Sequence, residues 1–365
     1  MLFVTAQARD FWVYFGTYTN ELSHGIYVSR LDAKTGRLAE PQLAAEVGNP
    51  NFLNFSPDGK HLYSSDSTHE SGEDGDGMVN SFAVDAHTGT LTPLNHQPSG
   101  GYDPCYVSVA NDGHGLLIAN YDNGAVKTLP IKPDGSLDSA GAITLTSGHS
   151  VNRSRQTGPH AHYIAADPSG HFVLECDLGT DKVVVFKLNS DGTLSPAATP
   201  FATVPPGSGC RHLAFSPNGK FVHVINEMGC TVTTFSWDAQ AGELKSIETV
   251  SALPPGVKVD PGFTGAEILA VGRHVYATVR GHDSVTVFKA DKTTGRLTFQ
   301  QNISSGGKVP RGLGIDPTGH WLFTGNQKTG NAVEFSISSW TGKISPTGRE
   351  LKIGSPVDVK FIEVQ

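Results

Sequence analysis

The chain of 365 residues is too long for one small core, so its length indicates either several domains or one large repeat architecture. Its formal net charge of −8 argues against nucleic-acid binding, and the absence of any run of eighteen apolar residues argues against a membrane span. The 42 glycines and 22 prolines favour many short strands joined by turns over long helices.

Residues 1–10 form an N-terminal extension that precedes the repeated pattern. Within it, Ala6-Gln7-Ala8 is similar to a signal-peptidase site, but the apolar part before it is short and has no basic front. We expect a cytoplasmic protein from the sequence as written, and a periplasmic one if this segment is a truncated signal peptide. Residues 11–365 contain no linker and are predicted to form a single domain.

A turn of the form Ser/Asp-Pro-x-Gly recurs along the chain, with alternating apolar runs on both sides. The first copy reads Ser56-Pro57-Asp58-Gly59, and a degenerate copy surrounds Gly272. The turn glycines recur roughly every 50 residues, a period typical of a propeller or a solenoid. They are Gly59, Gly113, Gly170, Gly219, Gly272 and Gly319.

Each copy continues with a third apolar run and a second turn, such as the pair Asp191-Gly192, so each repeat supplies four strands, as in a propeller blade. Six copies leave one blade to be built by the chain ends. Residues 11–18 have the pattern of an inner strand, and residues 357–362 supply a strand beside them. The predicted fold is therefore all-β: a seven-bladed β-propeller of four-stranded antiparallel blades, closed by the N- and C-terminal strands.

Two segments interrupt the repeat. Residues 66–77 are acidic and rich in glycine but lack EF-hand spacing, so we expect a solvated loop, with a cation site as the alternative. Residues 147–159 carry Arg153 and Arg155 and lead directly into His160. Because this second segment precedes an inner strand, we expect it at one end of the central channel.

Polar residues at the ends of the innermost strands are the candidate site residues, because those strands line the channel of a propeller. His160 and His162 lie two residues apart at the start of a strand-like run, and residues at i and i+2 of a strand point to one face. Other repeats place polar residues at equivalent points. These are Asn120, Tyr121, Asp122, Arg211, His212, Glu227, Glu267, Arg280, Arg311 and Asn326.

Several charges converging in one ring suggest an anion site with its own acid and base, because buried charges are rare unless they are paired or functional. Arg211 and Arg280 suit bidentate hydrogen bonds to a carboxylate or phosphate, and Glu227 and His160 are candidates for proton exchange. The alternatives are salt bridges that fasten the blades together and a metal site at the His-x-His pair. The four cysteines have no CxxC spacing, and neither a Gly-x-Ser-x-Gly elbow nor a Rossmann glycine motif is present.

Several motifs, in order along the chain, resemble those of one known family. They are Phe15-Gly16-Thr17-Tyr18-Thr19, Gly158-Pro159-His160-Ala161-His162, Pro206-Gly207-Ser208-Gly209-Cys210-Arg211-His212, Asn226-Glu227, Ala266-Glu267-Ile268, Arg280-Gly281-His282-Asp283-Ser284, Pro310-Arg311-Gly312 and Gly325-Asn326-Gln327. Together they resemble the seven-bladed propeller lactonases, which include propeller-type 6-phosphogluconolactonases and carboxy-cis,cis-muconate lactonising enzymes. The sequence departs from the family pattern at Cys210, where proline is common, and at residues 263–265.

The resemblance implies a histidine, two arginines and a glutamate as catalytic residues, which correspond to His160, Arg211, Glu227 and Arg280. His162 is the alternative counterpart of His160. The substrate-binding residues expected around them are His162, Arg155, His212, Glu267, Arg311 and Asn326.

The implied reaction is hydrolysis of a sugar-acid lactone, foremost 6-phospho-D-glucono-1,5-lactone to 6-phosphogluconate, with no metal or other cofactor. This reaction belongs to carbohydrate metabolism and the pentose phosphate pathway. The alternatives are a muconate-type lactonising isomerase that uses the same residues and a non-catalytic, ligand-binding propeller. The expected partner is a small anionic lactone, without nucleic acid or membrane, and the expected assembly is a monomer or weak homo-oligomer.

Overall fold

The computed structural model describes residues 9–20, 22–67 and 77–365, which form seven four-stranded antiparallel sheets. The predicted all-β, seven-bladed propeller is confirmed. No helix in the described ranges is long and apolar enough to cross a membrane. Ala6-Gln7-Ala8 and most of the acidic segment 66–77 lie outside the described residues, so the predictions of a signal-peptide remnant and of a cation site stay predictions.

The strands follow one another blade by blade. Blade 1 contains β1 (Phe11–Thr17), β2 (Gly25–Leu31) and β3 (Gln42–Glu46); blade 2 contains β4 (Leu53–Phe55), β5 (His61–Asp66), β6 (Met78–Val84) and β7 (Leu91–Pro98). Blade 3 contains β8 (Pro104–Val109), β9 (Gly115–Asn120), β10 (Ala125–Pro130) and β11 (Ala142–Leu145); blade 4 contains β12 (Ala161–Ala166), β13 (Phe172–Asp177), β14 (Lys182–Leu188) and β15 (Leu194–Thr203). Blade 5 contains β16 (Cys210–Phe215), β17 (Phe221–Asn226), β18 (Thr231–Asp238) and β19 (Glu243–Ser251). Blade 6 contains β20 (Thr264–Val271), β21 (His274–Arg280), β22 (Ser284–Ala290) and β23 (Leu297–Ser304); blade 7 contains β24 (Pro310–Ile315), β25 (Trp321–Asn326), β26 (Asn331–Ile337) and β27 (Ile344–Lys352). The last strand, β28 (Pro356–Glu363), returns to complete blade 1.

The chain ends close the ring as the sequence predicts. β28 pairs antiparallel with β1, from Phe11 opposite Glu363 to Thr17 opposite Pro356. The inner-strand pattern of residues 11–18 is misleading, however, because β28 takes the innermost place and β1 is the second strand. An apolar run cannot show whether a strand is the innermost or the second strand of a blade. The second strand lies between two neighbouring strands and is equally buried.

The recurring glycine turns, four of which contain Pro-x-Gly, join the first and second strands of six blades. Their glycines adopt the left-handed conformation, for example φ +70° at Gly59 and +60° at Gly272, where a side chain would be strained. The innermost strands of neighbouring blades contact one another around the channel. A separate apolar cluster fills each of the seven blade–blade contacts, and burial of these side chains is the main force that holds the ring together.

A β-bulge near the start of the innermost strand determines which side chains face the channel. In blades 3, 4, 5 and 7 the bulge leaves one residue out of the pairing with the second strand: Cys105, His162, Arg211 and Arg311. In blade 6 it leaves out two, Ala266 and Glu267. Because a bulge re-aims the side chain of the extra residue, these positions carry the polar groups of the channel.

One buried carboxyl group, that of Glu175, makes no hydrogen bond to the described residues. Glu175 lies in the middle of β13 and is fully buried, and neither carboxylate oxygen has a hydrogen-bond partner among the described residues. Burial, together with the nearby Asp177, raises the pKa of Glu175 well above its usual value. The folded protein therefore holds this proton to a higher pH than the unfolded chain does.

The raised pKa of Glu175 predicts that the protein loses stability as the pH rises. Because the folded-state pKa of Glu175 is raised, the free energy of unfolding should fall as the pH rises above about 4.5, the ordinary glutamate value. Glu175→Gln cannot ionise, so it should be more stable than the wild type at pH 8, by about 1–3 kcal/mol, and close to it at pH 5. Urea unfolding at both pH values measures this, with exposed Glu40→Gln as the control. An equal difference at the two pH values would contradict the assignment.

Candidate active site

A single carboxylate, Glu227, is the centre of the charged cluster at the end of the channel. It follows β17 directly and is buried, and its backbone N–H donates to the Gly209 carbonyl at 2.7 Å. Its Oε1 lies 2.8 Å from Arg155 Nη2, whereas Oε2 lies 2.7 Å from Arg280 Nη2 and 3.2 Å from Arg211 Nε. Three guanidinium groups therefore share one carboxylate.

The three arginines reach Glu227 from different parts of the fold. Arg211 is the bulged residue of β16, Arg280 is the last residue of β21, and Arg155 belongs to the segment between β11 and β12. The Arg155 side chain is 41% exposed, against 2% for Arg211 and 13% for Arg280. Arg155 therefore marks the solvent side of the cluster, from which a small molecule can approach.

The electrostatics of the cluster are set by burial and by mutual repulsion. Burial alone would raise the pKa of Glu227, but Arg280 and Arg211 hold it well below its usual range. Burial, followed by the charges of Arg280 and Arg311, lowers the pKa of Arg211. Glu227 is consequently ionised and a weak base, and the cluster keeps an excess of positive charge at neutral pH.

His162 is buried against this cluster. Its Nε2 lies 4.0 Å from Glu227 Oε2, and its Nδ1 lies 3.7 Å from the Cys105 sulfur. Burial, then Arg211 and His212, lower the pKa of His162 well below its ordinary value. The ring is therefore neutral at physiological pH, and it is less exposed than Arg155 and Arg280.

His160 occupies a different environment, although the sequence predicts both imidazoles on one strand face. The strand starts one residue later, at Ala161, and the bulge re-aims His162, so the simple i, i+2 rule does not apply. The His160 backbone N–H donates to Asp177 Oδ1 at 2.8 Å, and the ring stacks on Tyr121 with a centroid distance of 4.6 Å. Both histidines nevertheless contact Tyr121, which makes an edge contact with His162 at 5.4 Å.

The tautomer of His160 follows from its partner. Its Nδ1 lies 2.7 Å from the Tyr121 carbonyl oxygen, which can only accept a hydrogen bond. Nδ1 therefore carries the proton, and in the neutral ring Nε2 offers a lone pair. Nε2 has no hydrogen-bond partner among the described residues, so it is available to a ligand or to water.

Comparisons with known proteins place this geometry in a family. The model for "Lactonase, 7-bladed beta-propeller" matches residues 12–361. The chain belongs to the seven-bladed β-propeller lactonase family. It is 36% identical to the 6-phosphogluconolactonase of Bacillus subtilis over 96% of this chain and 97% of that protein.

Two solved structures are similar over nearly their whole length. A candidate 6-phosphogluconolactonase from Bacteroides fragilis is 34% identical, with a TM-score of 0.89 over 98% of this chain and 99% of that one. The periplasmic gluconolactonase of Pseudomonas aeruginosa is 29% identical, with a TM-score of 0.90 over 98% of this chain and all of that one. The lactonase family is thus supported by both sequence and structure.

In this lactonase, two of the predicted substrate-binding residues, His212 and Glu267, contact each other. His212 Nδ1 lies 3.0 Å from both Glu267 oxygens, and both side chains are buried. Burial, then Arg211, lowers the pKa of His212 well below its usual value, whereas burial raises that of Glu267. Arg211 Nη1 lies 3.5 Å from His212 Nδ1, so the pair supports Arg211 from within the channel.

Arg311 and Asn326 lie outside the immediate contacts of Glu227. The Arg311 guanidinium lies over the Tyr18 ring, 5.3 Å from its centroid. The Asn326 amide donates to the Ser305 carbonyl at 3.2 Å, as Asn120 donates to Ser99 in blade 3. These contacts of Asn326 brace a loop, and its predicted role in substrate binding stays a prediction.

Aspartates in two blades hold the loops that carry the site. Asp181 accepts hydrogen bonds from Ser150 Oγ at 2.5 Å and from the backbone N–H groups of Gly207 and Gly209 at 2.6 Å. It thereby ties the Arg155 segment of the lactonase to the start of β16, which carries Arg211. Asp283 makes the equivalent contact with the Val309 N–H at 2.8 Å, just before β24.

The sequence placed Tyr121 among the polar strand-end residues without assigning it a role, and Tyr18 and Cys105 were not predicted as site residues. Tyr121 follows Asn120 at the end of β9 just as Glu227 follows Asn226 at the end of β17, so blade-by-blade alignment could have assigned it. Its hydroxyl accepts from Arg155 Nη2 at 2.8 Å. Among the described residues, no group of three or more His, Cys, Asp and Glu side chains is arranged to hold a metal ion, so the His-x-His pair is not part of one.

The shared carboxylate predicts a large stability effect. Glu227→Gln leaves three buried or half-buried guanidinium groups without a counter-charge, and the free energy of unfolding should fall by about 3–5 kcal/mol at pH 7. Because the folded-state pKa of Glu227 is depressed, its contribution is complete above about pH 4.5 and is lost as the pH falls below that value. Urea unfolding between pH 7 and pH 4 measures both effects.

Glu334→Gln is the matched control, because Glu334 is also buried but pairs with a single arginine, Arg349. Its loss should be smaller, and added phosphate should restore stability to Glu227→Gln more than to Glu334→Gln. Equal losses in the two variants would show that the three-arginine arrangement has no special role.

Proposed function

We propose that this protein hydrolyses a sugar-acid lactone, with 6-phospho-D-glucono-1,5-lactone as its substrate and 6-phosphogluconate as its product. The family membership supports a lactonase, and the name of the Bacillus subtilis relative supports the phosphorylated sugar. The single observation that carries the proposal is the cluster of three guanidinium groups around Glu227, beside a histidine with a free ring nitrogen. One carboxylate cannot neutralise three cations, so an anionic substrate is attracted.

The arginines are suited to stabilise the oxyanion that forms when a lactone carbonyl is attacked. Arg155 and Arg280 each point one Nη2 at Glu227, and a guanidinium has further N–H donors to offer. Donors fixed before the reaction stabilise developing charge most effectively in a site with little water. Glu227 holds these donors in place.

His160 is the better general base of the two candidates. The pKa of Glu227 is held low by its arginines, which makes it a weak base, whereas Nε2 of His160 has a lone pair and no partner among the described residues. His160 Nε2 would take a proton from water as the water oxygen bonds to the lactone carbonyl carbon. The tetrahedral oxyanion would then collapse, the bond from that carbon to the ring oxygen would break, and His160 would return the proton to the ring oxygen. Atoms and charge balance, and this sequence uses no metal.

The two alternative functions have less support. A non-catalytic propeller would be favoured if the channel charges were fully paired, but the cluster has an excess of cations. No contact in the site favours ring closure over ring opening. We also propose a cytoplasmic monomer or weak homo-oligomer that acts in the pentose phosphate pathway, because a phosphorylated lactone is formed from intracellular sugar phosphate.

The role of His160 can be measured directly. His160→Gln should lower kcat by about 10²- to 10⁴-fold, because the general base is lost while the arginines remain. The assay is proton release from freshly generated 6-phospho-D-glucono-1,5-lactone, with the spontaneous rate subtracted and gluconolactone measured alongside. Arg211→Ala should also lose activity.

His171→Gln is the control, because His171 is exposed on a turn of the same blade. It should keep the wild-type rate. A His160→Gln variant with wild-type kcat, beside a His162→Gln variant that has lost it, would transfer the role to His162. Failure of the wild type to open either lactone would overturn the proposed function.

A further inference from the structure

Arg311 is the one arginine near the site that Glu227 does not bind. It is the bulged residue of β24, the position that His162 and Arg211 occupy in their own blades. Its half-buried guanidinium lies over the Tyr18 ring at 5.3 Å. Within residues 9–20, 22–67 and 77–365 it makes this ring contact and no hydrogen bond or ion pair. The N–H groups at its edges are therefore free to bind a ligand.

The backbone before Arg311 is held in an unusual conformation. Val309 has φ +61°, which is a rare value for a β-branched residue. Its N–H donates to Asp283 Oδ1 at 2.8 Å, its carbonyl accepts from the Gln327 N–H at 2.9 Å, and Lys308 Nζ lies 3.0 Å from Asp283 Oδ2. Such strain persists where the surroundings enforce it, and it is concentrated at functional sites. The backbone that leads into Arg311 is therefore held in place.

Arg311 increases an existing imbalance of charge. Its charge contributes to lowering the pKa of Arg211, of Arg280 and of His212. Glu227 is already shared by three other arginines and cannot offset a fourth. A dianion seated beside Arg311 would relieve this repulsion, whereas a neutral ligand would leave it in place.

A surface depression is formed by residues that neighbour Tyr18 and Arg311 along the chain. A depression of about 530 Å³ lies between blades 7 and 1, and Val309 and Gln327 form part of its wall together with Lys328. Ser355 lines the same depression, and its carbonyl accepts from the Tyr18 N–H at 3.1 Å. Tyr18 and Arg311 do not line this depression, but its wall includes Val309, two residues before Arg311, and Ser355, which binds the Tyr18 backbone.

We propose that Arg311, stacked on Tyr18, binds the phosphate group of the substrate and makes the site selective for phosphorylated over unphosphorylated lactones. This inference rests on the proposed function. A phosphate monoester carries nearly two negative charges at neutral pH, and a guanidinium binds it through two parallel hydrogen bonds. Stacking on an aromatic ring covers the face of the guanidinium and leaves those edges open.

The test compares two lactones in matched variants. Arg311→Gln should lower kcat/KM for 6-phospho-D-glucono-1,5-lactone by about 10- to 100-fold and change that for gluconolactone by less than about threefold. Arg311→Lys should recover part of the loss as a point charge. Tyr18→Leu removes the ring under the guanidinium and should lose selectivity. Arg296→Gln, just before the outer strand of blade 6, is the control for loss of an exposed arginine.

A binding measurement tests this inference independently of the proposed function. Calorimetry with 6-phosphogluconate and gluconate needs no turnover, and the wild type should prefer the phosphorylated compound by a factor that Arg311→Gln removes. If the wild type opens neither lactone yet shows this preference, the proposed function fails and the phosphate site stands. Equal binding of the two acids by the wild type, or equal losses for both lactones in Arg311→Gln, would overturn the phosphate site. Should Arg311→Gln not fold, Arg311→Lys and Tyr18→Leu carry the same comparison.

Discussion

A β-bulge near the start of the innermost strand in most blades decides what the channel of this propeller contains. A strand without the bulge would point its side chains alternately to the neighbouring blade on one side and to the neighbouring blade on the other. The bulge frees one residue from that alternation and turns it toward the channel. His162, Arg211 and Arg311 occupy this position in three blades, so a repeated backbone irregularity, filled with different residues, builds an asymmetric site on a nearly symmetric ring.

The charges at that site are stable only because the rest of the fold is strongly held. The free-energy cost of removing several ions from water exceeds the attraction that one ion pair provides. In this site, moreover, the cations outnumber the carboxylates. The apolar contacts between blades offset this cost, and the aspartates at positions 181 and 283 fix the loops that bring the charges together. The result is a set of hydrogen-bond donors that needs no rearrangement when an anion arrives.

The number of blades could be predicted from the sequence because turn glycines repeat at a regular interval. The residues of the cluster could be named because polar residues interrupt apolar strands. The placement of those residues relative to one another could not be predicted. A bulge shifts the alternation by one residue, which is why His160 and His162 enter different environments. Arg155 reaches Glu227 from an irregular segment whose path no periodicity records. The innermost place of β28 was also hidden, because first and second strands are equally apolar.

That C-terminal strand also sets the order in which the protein can be completed. β28 is made after the other strands, yet it occupies the innermost place of blade 1, the blade made first. Asp358 in β28 also accepts a hydrogen bond from the Leu53 N–H of blade 2 at 2.8 Å. During translation the edge of β1 must wait uncovered until the ribosome has finished the other six blades, and pairings so distant along the chain form slowly. Ring closure therefore comes after the synthesis of all the other strands, and deletion of β28, or a change that hinders its insertion, would leave an open ring with a strand edge prone to aggregation.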